Sequence, residues 1–471
     1  MNLKNYSLFL AGGALALSGL NASAQVYTPG DLVVSTYGST SSATLLDGQP
    51  TPISLLEYAL PTATSVSLAM STQLPTTGTG GNVGIVGEYG SSSEGSLQVS
   101  GDGNYLTIGG YDGNLAENGA PAGGYGGSNT AEAQTTDTNV PRVAAVINIS
   151  TGNVNTSTVL NDVYSTNNPR SVYSPDGTTL LFSGQGPGKT DEGGIYSTTL
   201  GNNTTTGGAA PTPIFNAVST RTVTQAKVNA ANGTASITAN TYYAADQNSS
   251  SKGTLTGIFE YTGTPTGSQG TNTGTRITPA TATVNGVTAN LSPQAFVFAN
   301  PTTLYVADTG DPKAGGTGDG GIQKWIYSSS LGTWNLAYTL TASTFVSPTS
   351  ATTAASGETG FEAMALTVNG GNVDIYAVSY TAGDANPNGL YSIVDNLSAT
   401  SLAGNASTTT SETTELQAAP GLGGAGGADY NFKGVAFLPV AAPEPSTVSL
   451  LALALLGGAL FARQRKNTLK S

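Results

Sequence analysis

The chain of 471 residues contains no cysteine and no histidine. Disulfides, thiolate nucleophiles, imidazole bases and metal sites built from His or Cys are therefore excluded, and most hydrolase mechanisms go with them. Charge is scarce as well: Asp, Glu, Lys and Arg together make up 9% of the chain. What charge there is leans one way, with 28 acidic against 15 basic residues. Five of the basic ones, Lys4, Arg463, Arg465, Lys466 and Lys470, lie in the two terminal segments. The body keeps an excess of 18 negative charges when Glu444 is counted. Such a surface repels phosphate backbones and anionic lipid, so nucleic acid is not an expected partner.

Glycine (63 residues), Ser, Thr and Asn fill the space that charge leaves, a balance that favours many turns and short strands over amphipathic helices. An apolar fraction of 38% and 21 tyrosines, many inside alternating runs, argue for folded strands and against disorder. The expected class is all-β.

Ser96–Gly113 is the unit that the rest repeats: strands Leu97–Val99 and Tyr105–Ile108 flank Asp102-Gly103, a pair suited to a tight hairpin. The same grammar returns at Ser171–Gly184, Gln294–Gly310 and Glu362–Tyr380, and more weakly at Val223–Tyr243 with Asn232-Gly233 at the turn. Outer hairpins follow at Val143–Ile149 with Val154–Val159 and at Ile322–Tyr327 with Trp334–Leu340. These units read as four-stranded blades of a β-propeller. The turn markers Asp102, Asp176, Asn232, Asn300 and Asn369 are spaced by 74, 56, 68 and 69 residues. Common propeller repeats are shorter, about 40–50 residues. The excess is assigned to Gly-rich loops, Leu115–Asp137, Gly201–Ala210, Gly263–Thr275 and Ala399–Thr413.

Asp31–Tyr37, Leu55–Leu60 and Val66–Met70 look like an incomplete blade, and Asn431–Val440 like an isolated strand without a local partner. Pairing the two ends would close the ring and remove both exposed edges. The expectation is one domain over 25–440, with six blades, or seven if one goes unrecognised.

Met1–Ala24 has Lys4, an apolar run over Leu8–Leu20 and an Ala22-Ser23-Ala24 end, the three parts of a secretory signal peptide cleaved before Gln25. At the other end Pro443-Glu444-Pro445 precedes the uncharged stretch Ser446–Ala462 and then Arg463, Arg465 and Lys466. A run of 17 apolar residues is at the short end for a membrane helix, and the basic cluster places its C-terminal side in the cytoplasm. Taken with the signal peptide, residues 441–471 resemble the PEP-CTERM sorting signal recognised by exosortases in Gram-negative bacteria. The resemblance implies that Pro443, Glu444 and Pro445 are read by the processing enzyme, and that helix and basic tail are removed or replaced during surface sorting. It also implies an association with exopolysaccharide-producing, biofilm- or floc-forming cells. The expected partners are thus a signal peptidase, an exosortase-type enzyme, the membrane before processing, and extracellular polysaccharide. The expected place is the envelope, cell surface or matrix.

Chemistry in the body is thinly marked. Asp308-Thr309-Gly310-Asp311 with Asp319, and Asp191-Glu192, offer oxygen ligands that could hold Ca²⁺, but the spacing matches no calcium loop, and solvated turns are the preferred reading. No cofactor is expected. Gly109-Gly110-Tyr111-Asp112-Gly113 and Gly123–Gly127 open no helix and precede no Lys-Ser/Thr, so they read as turns and not as phosphate loops. Trp325 and Trp334 are either platforms for sugar rings or inter-blade core, and their place on alternating strands favours core. Two classes follow: a non-catalytic exported surface or matrix protein that binds polysaccharide or protein through its loops, or a lactonase-like or glycan-active propeller enzyme using carboxylates and a bound metal. Fold alone does not choose between them.

Overall fold

Alternating apolar and hydroxyl-bearing residues, punctuated by glycine turns, make strands of most of the body. A computed structural model describes residues 27–39, 45–187, 193–215, 219–226, 241–246, 256–262, 275–284, 287–310, 320–346, 357–381, 387–402, 413–420 and 429–439. The first strands are β1 (Leu32–Ser39), β2 (Pro50–Thr62), β3 (Ser65–Gln73) and β4 (Ile85–Glu88). Next come β5 (Gln98–Val99), β6 (Tyr105–Asp112), β7 (Arg142–Asn148) and β8 (Val154–Leu160), then β9 (Pro169–Tyr173), β10 (Thr179–Gly184), β11 (Gly194–Thr199) and β12 (Thr212–Phe215). The second half holds β13 (Thr220–Ala226), β14 (Thr241–Asp246), β15 (Gly257–Thr262), β16 (Thr275–Arg276) and the hairpin β17 (Thr281–Val284) with β18 (Val287–Asn290). The last are β19 (Pro293–Asn300), β20 (Thr303–Asp308), β21 (Gly321–Ser328), β22 (Thr333–Leu340), β23 (Glu358–Asn369), β24 (Asn372–Thr381), β25 (Gly389–Asn396), β26 (Thr413–Ala418) and β27 (Asp429–Phe437).

Four antiparallel sheets of four strands are laid down in chain order: β9–β12, β13–β16, β19–β22 and β23–β26. A nine-stranded sheet holds two more such runs, β27-β1-β2-β3 and β5-β6-β7-β8, joined by β4, which pairs with both β2 and β6. No sheet closes on itself among the described residues. The first strands of the six runs nevertheless form a circuit by packing: β5 meets β9, β9 meets β13, β13 meets β19, β19 meets β23, β23 meets β27, and β27 returns to β5.

Each junction of that circuit buries its own apolar layer. Val33, Leu55, Leu106 and Ile147 fill the gap between the β1 and β6 runs, and Val146, Leu160, Val172 and Phe182 the next one. Leu181, Ile195, Val223 and Phe259 follow, then Ile258, Phe296, Val306 and Trp325. Ala307, Ile322, Phe361 and Ile375 form the fifth layer, and Val34, Tyr376, Leu390 and Phe432 the layer that joins last run to first. A side chain also donates to a neighbouring run's backbone carbonyl at every junction. Ser35 Oγ reaches Gly95 O at 2.7 Å, Thr107 Oγ1 reaches Val172 O at 2.6 Å, and Ser183 Oγ reaches Arg221 O at 2.6 Å. Thr222 Oγ1 reaches Gln294 O at 2.7 Å, Thr359 Oγ1 reaches Thr309 O at 2.9 Å, and Asn388 Nδ2 reaches Phe432 O at 2.8 Å.

The expected pairing of the two ends is present. β1 and β27 run antiparallel from Leu32↔Phe437 to Ser39↔Asp429, with an irregularity at Ser35/Thr36 where Ser35 Oγ accepts from Gly434 N at 2.8 Å. Asp429 is pinned in turn by Tyr89 OH at 2.9 Å and Leu45 N at 3.2 Å. The hairpins β5–β6, β9–β10, β19–β20 and β23–β24, and the outer pairs β7–β8 and β21–β22, fall where the repeat predicts.

Two loop assignments are corrected. Gly109, Gly110 and Tyr111 are not turn residues but lie inside β6. Their small size serves a close approach by β4, since a Cβ on Gly110 would stand 2.4 Å from Val86 O. The stretch 115–137 is not wholly loop: it contains most of α1 (Gly113–Asn118), capped by the Asp112 carboxylate on Asn114 N at 3.0 Å, and a 3-10 turn at Glu132–Gln134. The turn at Asn232-Gly233, the signal segment with Ala22 and Ala24, and the whole stretch 441–471 lie outside the described residues. No helix among the described residues is long and apolar enough to cross a membrane.

If the pairing of the ends holds the circuit together, Phe432→Ala lowers the unfolding free energy by about 3–5 kcal/mol through the cavity it leaves. Leu68→Ala on the exposed β3 changes it by less than about 0.5 kcal/mol. Denaturant melts of the two variants make the comparison, and equal midpoints would mean that the last junction contributes nothing to holding the sheets.

Candidate functional site

The inner strands enclose a cavity of about 510 Å³ along the axis of the circuit, lined by Ser96–Val99 and by residues of β13, β19, β23 and β27. Its wall is mostly apolar, from Val99, Val297, Phe298, Met364, Leu366, Val435 and Phe437, with Gln98, Thr222, Thr224 and Gln225 as its longer polar groups. No ionisable side chain is among the described lining residues. Gln98 crosses part of the space: its Nε2 donates to Ser171 Oγ at 2.6 Å and to Val223 O at 2.8 Å, and so ties β5 to β9 and β13. The described lining carries groups that could orient a small neutral ligand and, among the described residues, none that could act as a general acid or base.

The charged residues of the inner strands sit before the lining ones. Arg170 and Arg221 are the second residues of β9 and β13, and Lys433 is the central residue of β27. All three are buried. Arg170 donates to Ser219 Oγ at 2.7 Å and to Gln185 Oε1 at 2.6 Å, and Lys433 Nζ donates to Ser91 O at 2.7 Å.

Beyond the cavity lies a buried acidic pair. Glu94 accepts from Tyr111 OH at 2.6 Å, from Asn168 Nδ2, and from Glu88 N at 3.3 Å. Glu88 accepts from Ala133 N. Burial, with the Glu94 carboxyl beside it, pushes Glu88 up to about 8, and burial likewise raises Glu94. Beside them Arg142 lies 5.0 Å over the Tyr111 ring and donates to the carbonyls of Thr135 (3.0 Å), Tyr164 (2.8 Å) and Asn167 (2.9 Å). Neither carboxyl is among the residues lining the two pockets described, and the network ties together the segments after β4, β6 and β8.

The cation candidates divide. Asp308 is buried and its carboxylate serves the protein: Oδ2 accepts from Ser292 N at 2.9 Å and Gln323 Nε2 at 2.7 Å, and Oδ1 from Gly310 N at 2.8 Å. It is a buried turn lock and not the solvated loop residue that the sequence suggests. Asp311, Asp319, Asp191 and Glu192 lie outside the described residues. Among the described residues, no three His, Cys, Asp or Glu side chains are grouped to hold a metal ion. The same boundary applies to Pro443, Glu444, Pro445, Arg463, Arg465 and Lys466. Trp325 and Trp334 both belong to a buried core layer, as alternation predicts, and Trp334 also lines a second pocket with Glu260. Neither Glu260 nor the axial Gln98 carries a local sequence signal, because each acts through a junction between runs far apart in the chain.

Comparison with known proteins bears on the C-terminal segment and on the general architecture. Residues 441–466 match the PEP-CTERM protein-sorting motif. The chain therefore carries that motif, which implies export and exosortase-type sorting to the envelope of a bacterial cell. No curated protein matches the chain. Similar solved structures include an oligogalacturonate lyase in complex with manganese, at 9% identity and a TM-score of 0.31 over 74% of this chain and 90% of that one. A candidate 6-phosphogluconolactonase from Bacteroides uniformis has 12% identity and a TM-score of 0.34 over 83% and 100%. The β-propeller domain of the Trilobed protease from Pyrococcus furiosus, described as having an open velcro topology, has 8% identity and a TM-score of 0.26 over 77% and 84%. These neighbours are β-propeller proteins, and at such scores nothing about ligand or activity follows from them.

The raised Glu88 has a consequence for stability. Below about pH 4.5 both folded and unfolded chains hold its proton; between there and about 8 only the folded chain does. Unfolding then releases a proton, so this group's contribution is full at low pH and is lost as pH rises, by at most about 1.4 kcal/mol per unit. Glu88→Gln keeps an oxygen for Ala133 N and removes the titration. Thermal melts at pH 5 and pH 8 should show the variant gaining on the parent at pH 8 only; an identical difference at both would mean that Glu88 ionises normally.

Proposed function

We propose that the chain is a non-catalytic exported surface or matrix protein, a six-bladed β-propeller that binds polysaccharide and is delivered by an exosortase-type system. The observation that carries the sorting part is the motif at 441–466, immediately behind a strand that completes the first run of the body. The six runs of four strands and the closed circuit of their first strands support the propeller reading, with β27 supplying the strand missing from the first blade. In this reading residues 1–24 are a signal peptide cleaved after Ala22-Ser23-Ala24, and 25–440 form the propeller. Residues 441–471 are the sorting segment, with Pro443-Glu444-Pro445 read by the processing enzyme, Ser446–Ala462 a membrane helix and Arg463, Arg465 and Lys466 its cytoplasmic stop.

The axial cavity supports a binding role over catalysis, because hydrolysis of glycosides needs two placed carboxyls and its lining supplies none. An overall charge of −13 favours neutral polymers over anionic ones.

An epitope tag after Ser471 and another after Gln25 test the sorting. In the native Gram-negative host the N-proximal tag should reach the outside of the cell on a chain without the C-terminal tag, beginning at residue 25. Replacing Pro443-Glu444-Pro445 by three alanines should leave both tags on one membrane-bound chain. Unchanged processing in that variant would remove the assigned role of the three residues, and full-length parent protein in the cytoplasm would remove export altogether.

A further inference from the structure

The junction between the β13–β16 and β19–β22 sheets opens at its outer edge into a pocket of about 360 Å³. On β15 alternation turns Phe259 and Tyr261 toward the preceding sheet, where they join the layer of Ile195 and Ile214. Ile258 turns the other way, into the layer of Trp325 and Trp334, and Glu260, two residues on, shares its face. Trp334 is fixed edge-on between Tyr327, 5.5 Å away, and Phe298, 5.8 Å away. Glu260 is 2% exposed and Trp334 is 7% exposed, and both line the pocket with Tyr327, Thr275 and Thr333.

Two of those groups are anomalous. Both carboxyl oxygens of Glu260 and the Nε1–H of Trp334 are buried and find no hydrogen-bond partner among the described residues. Elsewhere in this protein the buried carboxylates of Asp308, Asp395 and Glu94 each accept two or more hydrogen bonds. A lone buried carboxyl costs free energy, and an unmade indole bond adds to it, so the fold carries two expensive groups on the wall of one pocket. Burial raises Glu260 above its ordinary carboxylate value. The one cation on the described wall is the exposed Arg276, whose guanidinium lies 5.3 Å over the Phe259 ring.

We propose that this pocket is a binding site for an uncharged pyranose unit, with Glu260 accepting from ring hydroxyls and Trp334 Nε1 donating to another. The pairing of an acceptor with a donor in one pocket fits a ligand whose neighbouring hydroxyls do both. Tyr327 and Trp334 give the apolar edges against which C–H faces of a sugar ring pack. A quaternary cation would use the carboxyl and the rings but leave the indole N–H unmet. A uronate would bring a second carboxylate against the buried Glu260, with only the exposed Arg276 on the described wall to offset it. The volume lies in the range of small-molecule sites, roughly 300–1,000 Å³. The proposal rests on the polysaccharide reading above and deepens it by naming the place and the class of sugar.

The mature, purified chain is titrated calorimetrically with methyl α-glucoside, methyl α-mannoside and methyl α-galactoside, with galacturonate, and with tetramethylammonium. Cosedimentation with the polysaccharide of the producing cells runs in parallel. Saturable binding of at least one neutral glycoside is expected, reduced about tenfold or more by Trp334→Phe and by Glu260→Gln. Glu260→Gln should melt no lower than the parent, because it relieves a buried carboxyl, and this separates a ligand-binding role from a structural one. Cosedimentation retained while both variants bind the glycoside as the parent does would overturn the site and leave the polysaccharide reading standing. Loss of cosedimentation in the parent would overturn that reading, and glycoside binding abolished by the two variants would still uphold the site. No glycoside binding by the parent, or tetramethylammonium or galacturonate bound in preference, would overturn the proposal.

Discussion

A free edge on each inner strand is the constraint from which the rest of the body follows. The first strand of every run has one side without a ladder partner, and in the middle of a protein its carbonyls cannot be left to water. Small side chains from a neighbouring run meet that need on β9, β13, β19 and β27, and like bonds at the other two junctions reach Gly95 O ahead of β5 and Thr309 O behind β20; five of the six donors are hydroxyls and one is the Asn388 amide. Ser and Thr suit the task because their reach is short: a hydroxyl on a strand can touch a backbone only if the two sheets are already close. Each such bond therefore fixes the spacing of two sheets as well as satisfying a carbonyl. The last junction does most, since Asn388 both donates to Phe432 O and accepts from Phe432 N at 3.0 Å, locking the strand that arrives last in the chain.

The same economy explains how a chain so poor in charge can bury some of it. Lys324 and Asp395 form a wholly buried ion pair at 3.0 Å, in which Tyr338 OH donates to Asp395 at 2.8 Å and Lys324 donates to Asn396 O at 2.6 Å. Burial lowers Lys324 while the Asp395 carboxylate holds it up. Such a pair ties the fifth run to the sixth, and its geometry leaves neither charge unmet, which is the condition for burial not to be ruinous. Tyrosine takes the part that histidine plays in other proteins, as donor to buried carboxylates at Glu94, Asp395 and Asp429. Glu260 differs from these three carboxylates in accepting no hydrogen bond among the described residues.

What the sequence revealed was the local grammar. Asp102-Gly103 and Asp176-Gly177 mark hairpins because a turn needs residues tolerant of positive φ, and both glycines have it, at 77° and 76°. The partner of Asn431–Val440 was legible too, because an unpaired strand at each end of one chain has a single economical solution. Gly109 and Gly110 misled for a physical reason: glycine signals a turn and a close backbone approach with the same letter, and only the path of β4 distinguishes them. The burial of Asp308 was equally hidden, since its donors are Ser292, just ahead of β19, and Gln323, in β21. Glu260 and Trp334 lie 74 positions apart and share a pocket only because two runs are neighbours in the circuit.

The position of the sorting motif is consistent with how the body is closed. β27 ends at Phe437, and two backbone bonds hold the residue after it, Leu438 N to Asp31 O at 2.9 Å and Gly30 N to Leu438 O at 3.0 Å. The motif begins at residue 441, beyond those bonds. A cut within it would remove no ladder hydrogen bond and uncover none of the layer formed by Val34, Phe432 and Val435. Were the motif to start ten residues earlier, processing would strip the last strand and expose the edge of β1 and one apolar face, a condition that leads exported β-proteins to aggregate. Separation of the folding unit from the processed segment by a few residues lets the chain fold fully before it is cut, and lets the cut leave the fold untouched.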